Sequence, residues 1–556
     1  VSASLRTWAK RAGIATVVVA SGLVLFSFTG PGKRFFEIAK NLEVFSSLFR
    51  ELNTYYVDET NPNTLIRTAI DHMLANLDPY TNYIPEDEVE TFRTLNTGTY
   101  GGIGATTRVF NGRIVITGVM DGYSAERGGL KVGDEVVRIG DVDVARITSE
   151  EAGQLTRGQI GTAIKLTVKR PGADRPVVID LKREKVKVSN VPFSGMLDHE
   201  TGYVKLADFT PEAAQEVKSA VTKLKSSGAR SLVLDLRGNP GGLLNEAVDI
   251  CNLFVAKDRL VVSTRGKIPE QNHNYLTQHA PVDLEMPLAV LINRGSASAS
   301  EIVAGTLQDY DRAVIIGEKS YGKGLVQMHR PLSYNAQLKV TTAKYYTASG
   351  RCIQVLDYTH RRADGSVGAI PDSIKKEFRT QHGRKVYDGG GIDPDVAVVQ
   401  DADIPLLRAL DEQGFIFDYA TEYALKHPSI APAREFRVSD EEYNMFVAWT
   451  RARNFRYESA LETELAALRK AAEAEKSNAA LIARLSELEK AVAAAHATEL
   501  KLLQGRITSM LEAEIALRYY KESGYIEVGF VNDRDIQRAT ALLKSTAEYR
   551  RLLNLN

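Results

Sequence analysis

Three short apolar runs, each closing on a turn rich in glycine, serine or asparagine, constrain this chain more than any other feature. They are SLVLDL (231–236) before RGNPGG, LAVLI (288–292) before NRGSASAS, and AVIIG (313–317) before EKSYGKG. Each run is continuously apolar, as in a strand buried on both faces. Helix-like segments alternate with such strands from about Val188 to Val398, which makes this stretch an α/β core.

The flanks read differently. A Gly-rich turn, Tyr100 to Gly104, opens a region of shorter strands around 113–119, 134–139 and 163–169, with one short helix at SAERGGL (124–130). Residues 35–96 read as short helices, in which Ile38, Leu42, Phe45 and Phe49 recur at helical spacing. The tail from Asp403 is almost wholly helical, and no Gly or Pro occurs from Arg434 to Gln504. Leu481, Leu485, Leu488, Val492 and Ala495 step by four and three, the seam of a coiled coil or helical hairpin.

The 556 residues suffice for about three to five domains. Lys+Arg and Asp+Glu both number 70, and this zero balance argues against a dedicated nucleic-acid binder. Two cysteines, Cys251 and Cys352, make neither a disulfide framework nor a Cys-rich zinc site, and the nine histidines include no HExxH. The expectation is therefore no metal and no cofactor. The first 30 residues have another character: Arg6, Lys10 and Arg11 precede an uncharged run from Ala12 to Gly30. At 1.5 Å per residue that run nearly crosses a hydrocarbon core of about 30 Å. Basic residues before it place the N-terminus in the cytoplasm. A cleaved signal peptide is the alternative, but no small-x-small site follows the run. An uncleaved membrane anchor is expected, with the remainder on the periplasmic or extracellular side.

The turns carry the chemistry. In NRGSASASEI (293–302), small residues between strand and helix let a substrate backbone approach, and a serine there sits beside the free N–H groups of the helix N-terminus. Ser298-x-x-Glu301 also fits a capping box, in which Ser298 only caps the helix. In GEKSYGKGLVQ (317–327), Lys323 lies between Gly322 and Gly324. If the chain is extended from 323 to 327, Lys323 and Gln327 share a face. Gly317-x4-Gly322-Lys323 approaches a phosphate-binding loop, but Gly324 stands where that motif needs Ser or Thr, and a strand follows instead of a helix. Gly101-Gly102-Ile103-Gly104 is a poor dinucleotide fingerprint, because Thr107 stands where its third glycine belongs. In DLRGNPGGLL (235–244), Gly241 and Gly242 allow a backbone N–H to approach a substrate carbonyl.

In this order, LRGNPGGLL, GSASASEIVAG and GEKSYGKGLVQ resemble the C-terminal processing peptidases, or tail-specific proteases, which are serine peptidases with a Ser–Lys dyad. Tyr100 to about Lys169, with SAERGGLKVGDEVVRIGDVDV, is similar to their PDZ domain. GRCIQ (350–354) and GGIDPDV (390–396) fit their later pattern, so the resemblance covers about residues 36 to 400. It implies a multidomain α+β fold: a PDZ domain plus a Clp protease/crotonase-like ββα core, with helical N-terminal and C-terminal regions. The boundaries expected are 1–32 for the anchor, 33–96 for the helical N-terminal region, 97–186 for the PDZ domain, 187–400 for the peptidase core and 401–556 for the helical C-terminal region.

The resemblance also assigns roles. The nucleophile falls on Ser298, the general base on Lys323, and the residue orienting that lysine on Gln327. The oxyanion donors fall on the N–H of Ala299 and of Gly241 or Gly242. Gly101, Gly102, Ile103 and Gly104 form the carboxylate loop of the PDZ domain, and Arg157 matches an arginine that couples bound peptide to the active site. As a lone residue, Arg157 more commonly reads as a surface charge at a helix end, and only the resemblance brings the two readings level. Asp309 matches a position implicated in some members, and no role is expected for Cys352. The activity implied is endoproteolysis of protein or peptide substrates presented by free C-terminal tails. An inactive PDZ scaffold that binds such tails is the alternative, and an acyl-transfer hydrolase of small esters ranks below it. The seam at 481–495 and the N-terminal helices offer surfaces for a homodimer.

Overall fold

A computed structural model describes residues 31–89, 92–93, 97–362, 364–399, 404–476 and 479–555. The expected anchor at 12–30 lies outside the described residues. The chain divides into two units, residues 1–83 and 84–556. In the first, helices span Pro31–Tyr55 and Pro62–Ala75. The second is opened by Asn61, whose side chain accepts the N–H of Asn63 and of Thr64, ahead of Pro62 at the first helical position. The first helix has 25 residues, longer than the short helices expected there.

In the larger unit, the first sheet is antiparallel, in the order Ala105–Phe110, Arg113–Val119, Glu135–Ile139, Ala163–Lys169 and Val177–Lys182. Ile164, Leu166 and Val168 alternate inward along one strand and meet Ile114, Ile116, Val136 and Ile139 in the core of this domain. Strand Ala105–Phe110 is an edge, and helix Ser149–Thr156, capped by Thr148 with Glu151, lies near it. A two-stranded ribbon, Thr99–Gly102 with Glu184–Lys187, joins the domain to the core.

The core sheet runs Phe193–Met196, Thr201–Lys205, Ser231–Asp235, Leu288–Ile292, Val314–Gly317 and Val396–Ala397. It is parallel after the first hairpin. The continuous apolar runs have the expected cause: alternate residues fill two cores. Leu232, Leu234, Val290 and Ile315 pack with helices Ala213–Ser226, Leu244–Asn252 and Ala299–Asp309. Val233, Leu291, Val314 and Ile316 pack instead with Ile536, Ala539, Leu542 and Tyr549 from the end of the chain. The last helices therefore complete the core. A second, antiparallel sheet carries Leu325–Pro331, Gln337–Thr347, Leu260–Gly266 and His273–Leu276.

The remaining helices gather on an aromatic cluster of Tyr419, Phe436, Tyr443 and Phe446. The anticipated seam resolves into a hairpin of Ala460–Ala474 and Ala479–Leu502. Leu485 and Val492 are buried, as are Leu465 and Ala472 on the opposite helix, whereas Leu481 and Leu488 stay exposed. Phe110 of the first sheet packs on Phe417, and Arg108 pairs with Asp411 and Arg113 with Asp418.

Candidate active site

The three serines of SASAS fall into two classes. Ser296 and Ser300 are fully buried, and their hydroxyls donate to the carbonyls of Leu236 at 2.8 Å and Asn239 at 2.9 Å. They stitch the serine turn to the LRGNPGG loop. Asn293 adds to this seam by accepting the N–H groups of Gly238 and Gly295. Ser298 is half-buried and lines a cavity of about 290 Å³. Its backbone is left-handed, at φ 55° and ψ −111°, a conformation that costs a non-glycine residue of order 1–3 kcal/mol and is typical of functional turns. Helix Ala299–Asp309 starts at the next residue.

The LRGNPGG loop meets this turn at close range. Gly241 has φ 99°, and a side-chain carbon there would fall 2.8 Å from Ser298 Cβ and 2.9 Å from the Ala299 nitrogen. Only glycine fits. The Gly241 N–H donates to Asn239 Oδ1 at 2.9 Å, and Asn239 is itself fully buried. Among the described residues, the N–H groups of Gly242 and Ala299 meet no acceptor. Of the two glycines left open by the sequence, Gly242 lines the cavity with Ser298 and Ala299. Behind the loop, Asp235 is held well below the usual carboxylate range against its burial by Arg237 and Lys205. Arg237 extends to Asp533 and Asp535 near the end of the chain.

Lys323 and Gln327 line the same cavity. The expected extended run from 323 to 327 does not form as such. The strand begins at Leu325, and a bulge interrupts its register between Val326 and Gln327. Strict alternation therefore does not set the shared face; the bulge re-aims the strand. The Gln327 side-chain nitrogen donates to Thr341 Oγ1 at 3.2 Å. Both glycines beside Lys323 are sterically required: a side-chain carbon at Gly322 would fall 2.0 Å from Val355 Cγ2, and one at Gly324 2.8 Å from the Gln354 nitrogen. Lys323 is half-buried, and Phe209, Leu243, Ile302, Leu325 and Tyr345 supply apolar wall to the cavity. Asp208, Lys339 and His329 line it as well.

From the sequence Glu301 is expected as a cap or a helper of loop geometry, and it serves as both. It does take part in the cap, accepting the Ser298 N–H at 2.8 Å. The same fully buried carboxylate also accepts the N–H of Gly322 at 2.7 Å, the N–H of Lys323 at 2.9 Å and the Ser320 hydroxyl. One side chain thus holds the serine turn and the lysine turn together. Burial pushes its pKa up to about 7. The sequence signal was Ser298-x-x-Glu301 itself, which specifies a cap but not partners some twenty residues onward. Tyr345 closes the arrangement, its hydroxyl directed at the carbonyls of Ser298 and Lys323. Asp309 stands at the far end of helix Ala299–Asp309, paired with buried Arg351 and hydrogen-bonded by Thr347 and Ser349, and does not line the cavity.

A second cavity, of about 460 Å³, lies between edge strand Ala105–Phe110 and helix Ser149–Thr156. Gly102, Ile103 and Arg157 line it, over a floor that includes Ile114, Ile116, Val136 and Leu166. The Arg157 guanidinium lies 5.3 Å from the centre of the Tyr100 ring. Gly101 belongs to the ribbon, and its carbonyl accepts the Gly158 N–H. Gly104 has φ 78°. Among the described residues, the N–H groups of Ile103 and Gly104 meet no acceptor. An exposed edge, an apolar groove and paired free N–H groups are the elements with which a sheet captures a peptide C-terminus.

Residues 200–359 match the model of peptidase family S41, residues 94–169 that of the PDZ domain, and residues 406–543 that of the C-terminal helical domain of PDZ-proteases. The carboxy-terminal-processing protease of Bartonella bacilliformis is 37% identical over 324 residues, which is 58% of this chain and 74% of that protein. A CtpA-like serine protease of Staphylococcus aureus is 31% identical over 405 residues, 72% of this chain and 79% of that one. Among solved structures, a photosystem II D1 C-terminal processing protease is 26% identical, with a TM-score of 0.35, covering 64% of this chain and 92% of that one. The chain belongs to the carboxy-terminal-processing serine proteases of peptidase family S41.

Proposed function

We propose that Ser298 is the nucleophile and Lys323 its general base, with Gly242 and Ala299 as the oxyanion donors. The observation that carries this reading is the single cavity shared by Ser298, Lys323 and two unengaged N–H groups, while Ser296 and Ser300 bond to backbone. Serine attacks only as a base removes its proton, and lysine accepts one only when neutral. At a reference pKa of about 10.4, roughly one lysine in a few thousand is neutral at pH 7, so the partly apolar wall must favour the neutral form. Ser298 Oγ attacks the scissile carbonyl as its proton moves to Lys323 Nζ, and Gly242 and Ala299 stabilise the oxyanion. The C–N bond then breaks as Lys323 returns the proton to the leaving amine. Water, deprotonated by the same nitrogen, hydrolyses the acyl ester and regenerates Ser298. Gln327 keeps the lysine in place. Incubating an unfolded protein with the parent and with Ser298→Ala, followed by mass spectrometry of the fragments, tests this directly.

Substrates enter by their C-terminal tails. The apolar groove and the N–H groups of Ile103 and Gly104 suit a free carboxylate after an apolar residue, with Gly101, Gly102 and Gly104 shaping the loop and Arg157 beside it. The anchor expected at 12–30 would place the protease on the outer side of a membrane. Among the described residues no helix is long and apolar enough to cross a membrane, so fractionation of the intact protein is the test of that placement. A homodimer through the N-terminal helix completes the reading. Phe35, Ile38, Leu42, Phe45, Phe49 and Leu52 repeat by three and four on helix Pro31–Tyr55, the signature of a helical partner.

A further inference from the structure

One charged group of the catalytic cavity has no part in the proposed chemistry. Asp208 lies half-buried on the loop between strand Thr201–Lys205 and helix Ala213–Ser226, and it lines the cavity together with Ser298 and Gly242. One carboxylate oxygen accepts the N–H of Phe209 at 2.8 Å, and no donor among the described residues bonds to the other. Burial raises its pKa, with only the Phe209 N–H acting against it. Neither Lys323 nor Lys339, the two lysines of the cavity, enters that balance, so Asp208 does not serve to hold the general base.

The loop keeps this carboxylate in a fixed place. Before it, the Leu206 N–H donates to the Asp235 carbonyl and the Ala207 N–H to that of Asn190. After it, Phe209 is fully buried and forms a parallel bridge with Gly242, and its carbonyl accepts the Leu243 N–H at 2.8 Å. The N–H and the hydroxyl of Thr210 both donate to the amide oxygen of Asn190. Asp208 is therefore held at a set position relative to the Gly242 donor.

A carboxylate in a partly desolvated wall, without a cation of its own, costs free energy, because nothing fully replaces its lost hydration. Such perturbed groups in a cleft gather at sites that a ligand completes. Among the described residues lining this cavity, Asp208 is the only acid. Lys339 and His329 face each other on paired strands of the second sheet, so the cations of the cavity wall belong to a different element. Phe209, Leu243 and Leu244, on the Asp208 loop and the segment bonded to it, supply apolar surface. The group that complements an acid set in apolar surface has an apolar stem and a cationic end, which is the build of lysine and arginine.

We propose that Asp208 is a specificity-determining residue, which binds the ammonium or guanidinium of a substrate lysine or arginine close to the cleaved bond. The inference rests on the reading of Ser298 as the nucleophile and names the substrate class of that same site: chains whose cleavage segment carries a basic residue.

In the full-length protein, digestion of a peptide library with a shared free Ala-Leu-Val terminus and randomised residues upstream, followed by mass spectrometry of the fragments, reads which residues flank the cut. In the parent, lysine and arginine are enriched at one position near the bond. Synthetic peptides that carry arginine or its uncharged isostere citrulline at that position then give a ratio of kcat/KM. The arginine peptide is favoured about tenfold, the worth of one hydrogen bond to a charged group. In Asp208→Asn, which can still accept the Phe209 N–H, the ratio falls below about twofold. Asp208→Glu restores part of the preference, and Asp208→Lys moves the enrichment to aspartate and glutamate. A structural role alone would slow both peptides together and leave the ratio intact. A parent whose cuts show no enrichment of basic residues overturns the proposal, as does an unchanged ratio in Asp208→Asn. Labelling with a fluorophosphonate probe keeps the two readings apart: a parent that labels at Ser298 and cuts without charge preference refutes only the role of Asp208, whereas one that neither labels nor cuts removes the nucleophile and this proposal with it.

Discussion

Substituting the three serines of SASAS one by one separates catalysis from capping. Ser298→Ala should lower cleavage by about four orders of magnitude or more, because a nucleophile and its base act as a unit. Ser296→Ala and Ser300→Ala should keep far more activity. Each instead loses a buried hydrogen bond and leaves a carbonyl unpaired, which costs about 1–3 kcal/mol in urea unfolding. Lys323→Arg should be as inactive as Lys323→Ala, since a guanidinium does not accept a proton near neutral pH. Active-site labelling with a serine-directed probe checks both series. Glu301 carries a pH signature. Its folded pKa of about 7 lies above the ordinary 4.5, so the folded state holds the extra proton. The stability this gives is full below about pH 4.5 and is lost as pH rises through about 7. The difference in unfolding free energy between parent and Glu301→Gln should therefore shift against the parent across that window. Activity of the variant should fall by about a hundredfold, because an NH2 replaces one of the two acceptor oxygens and faces the donors that oxygen held. A flat difference between pH 4.5 and 7 would contradict a raised pKa for this carboxylate. The sequence singled out Ser298 by the small residues around it and Lys323 by its flanking glycines, whereas Gln327 was reached through an extended run that the bulge breaks. It could not display Glu301 as a bridge or Asn239 as a brace, because both act on residues brought close only by the fold.

At the scale of elements, the apolar runs predicted the buried parallel strands well, since burial on both faces leaves its mark in the strand itself. What covers the second face was not legible. Helix Arg534–Lys544 reads as one more amphipathic helix of the tail, yet Ile536, Ala539 and Leu542 occupy the core between it and strands Ser231–Asp235, Leu288–Ile292 and Val314–Gly317. Its cap residue Asp533, with Asp535, binds Arg237 of the LRGNPGG loop. Leu542→Ala should therefore cost about 2–5 kcal/mol, as for a core leucine, measured by urea unfolding. A change near zero would mean that the helix sits on the sheet without packing into it. The bulge after Val326 was equally hidden. A register shift of one residue has no marker in LVQMH, whereas the paired glycines around Lys323 announced a tight backbone at that point.

For the whole molecule, the open matter is how an exposed apolar helix is tolerated. Phe35, Ile38, Leu42, Phe45 and Leu52 on helix Pro31–Tyr55 are all more than 40% exposed, yet each would gain about 1.5–3 kcal/mol from burial. Their spacing keeps one stripe facing a helical partner over three heptads. Of the positions flanking the stripe, Ala39, Asn41, Ser46, Leu48 and Asn53 carry no charge, and Arg34 stands at its start. A form beginning at Pro31 should thus run as a dimer in light scattering at micromolar concentration. Leu42→Lys combined with Phe45→Lys should convert it to a monomer, because two ammonium groups cannot be desolvated in such a seam without a partner. The monomer should still label at Ser298 and bind a free C-terminal peptide, since the described residues lining both cavities belong to the second unit. A parent that is monomeric at these concentrations would sink the dimer and assign the stripe to some other surface. Loss of dimer together with loss of labelling would show that assembly and the catalytic cavity depend on each other.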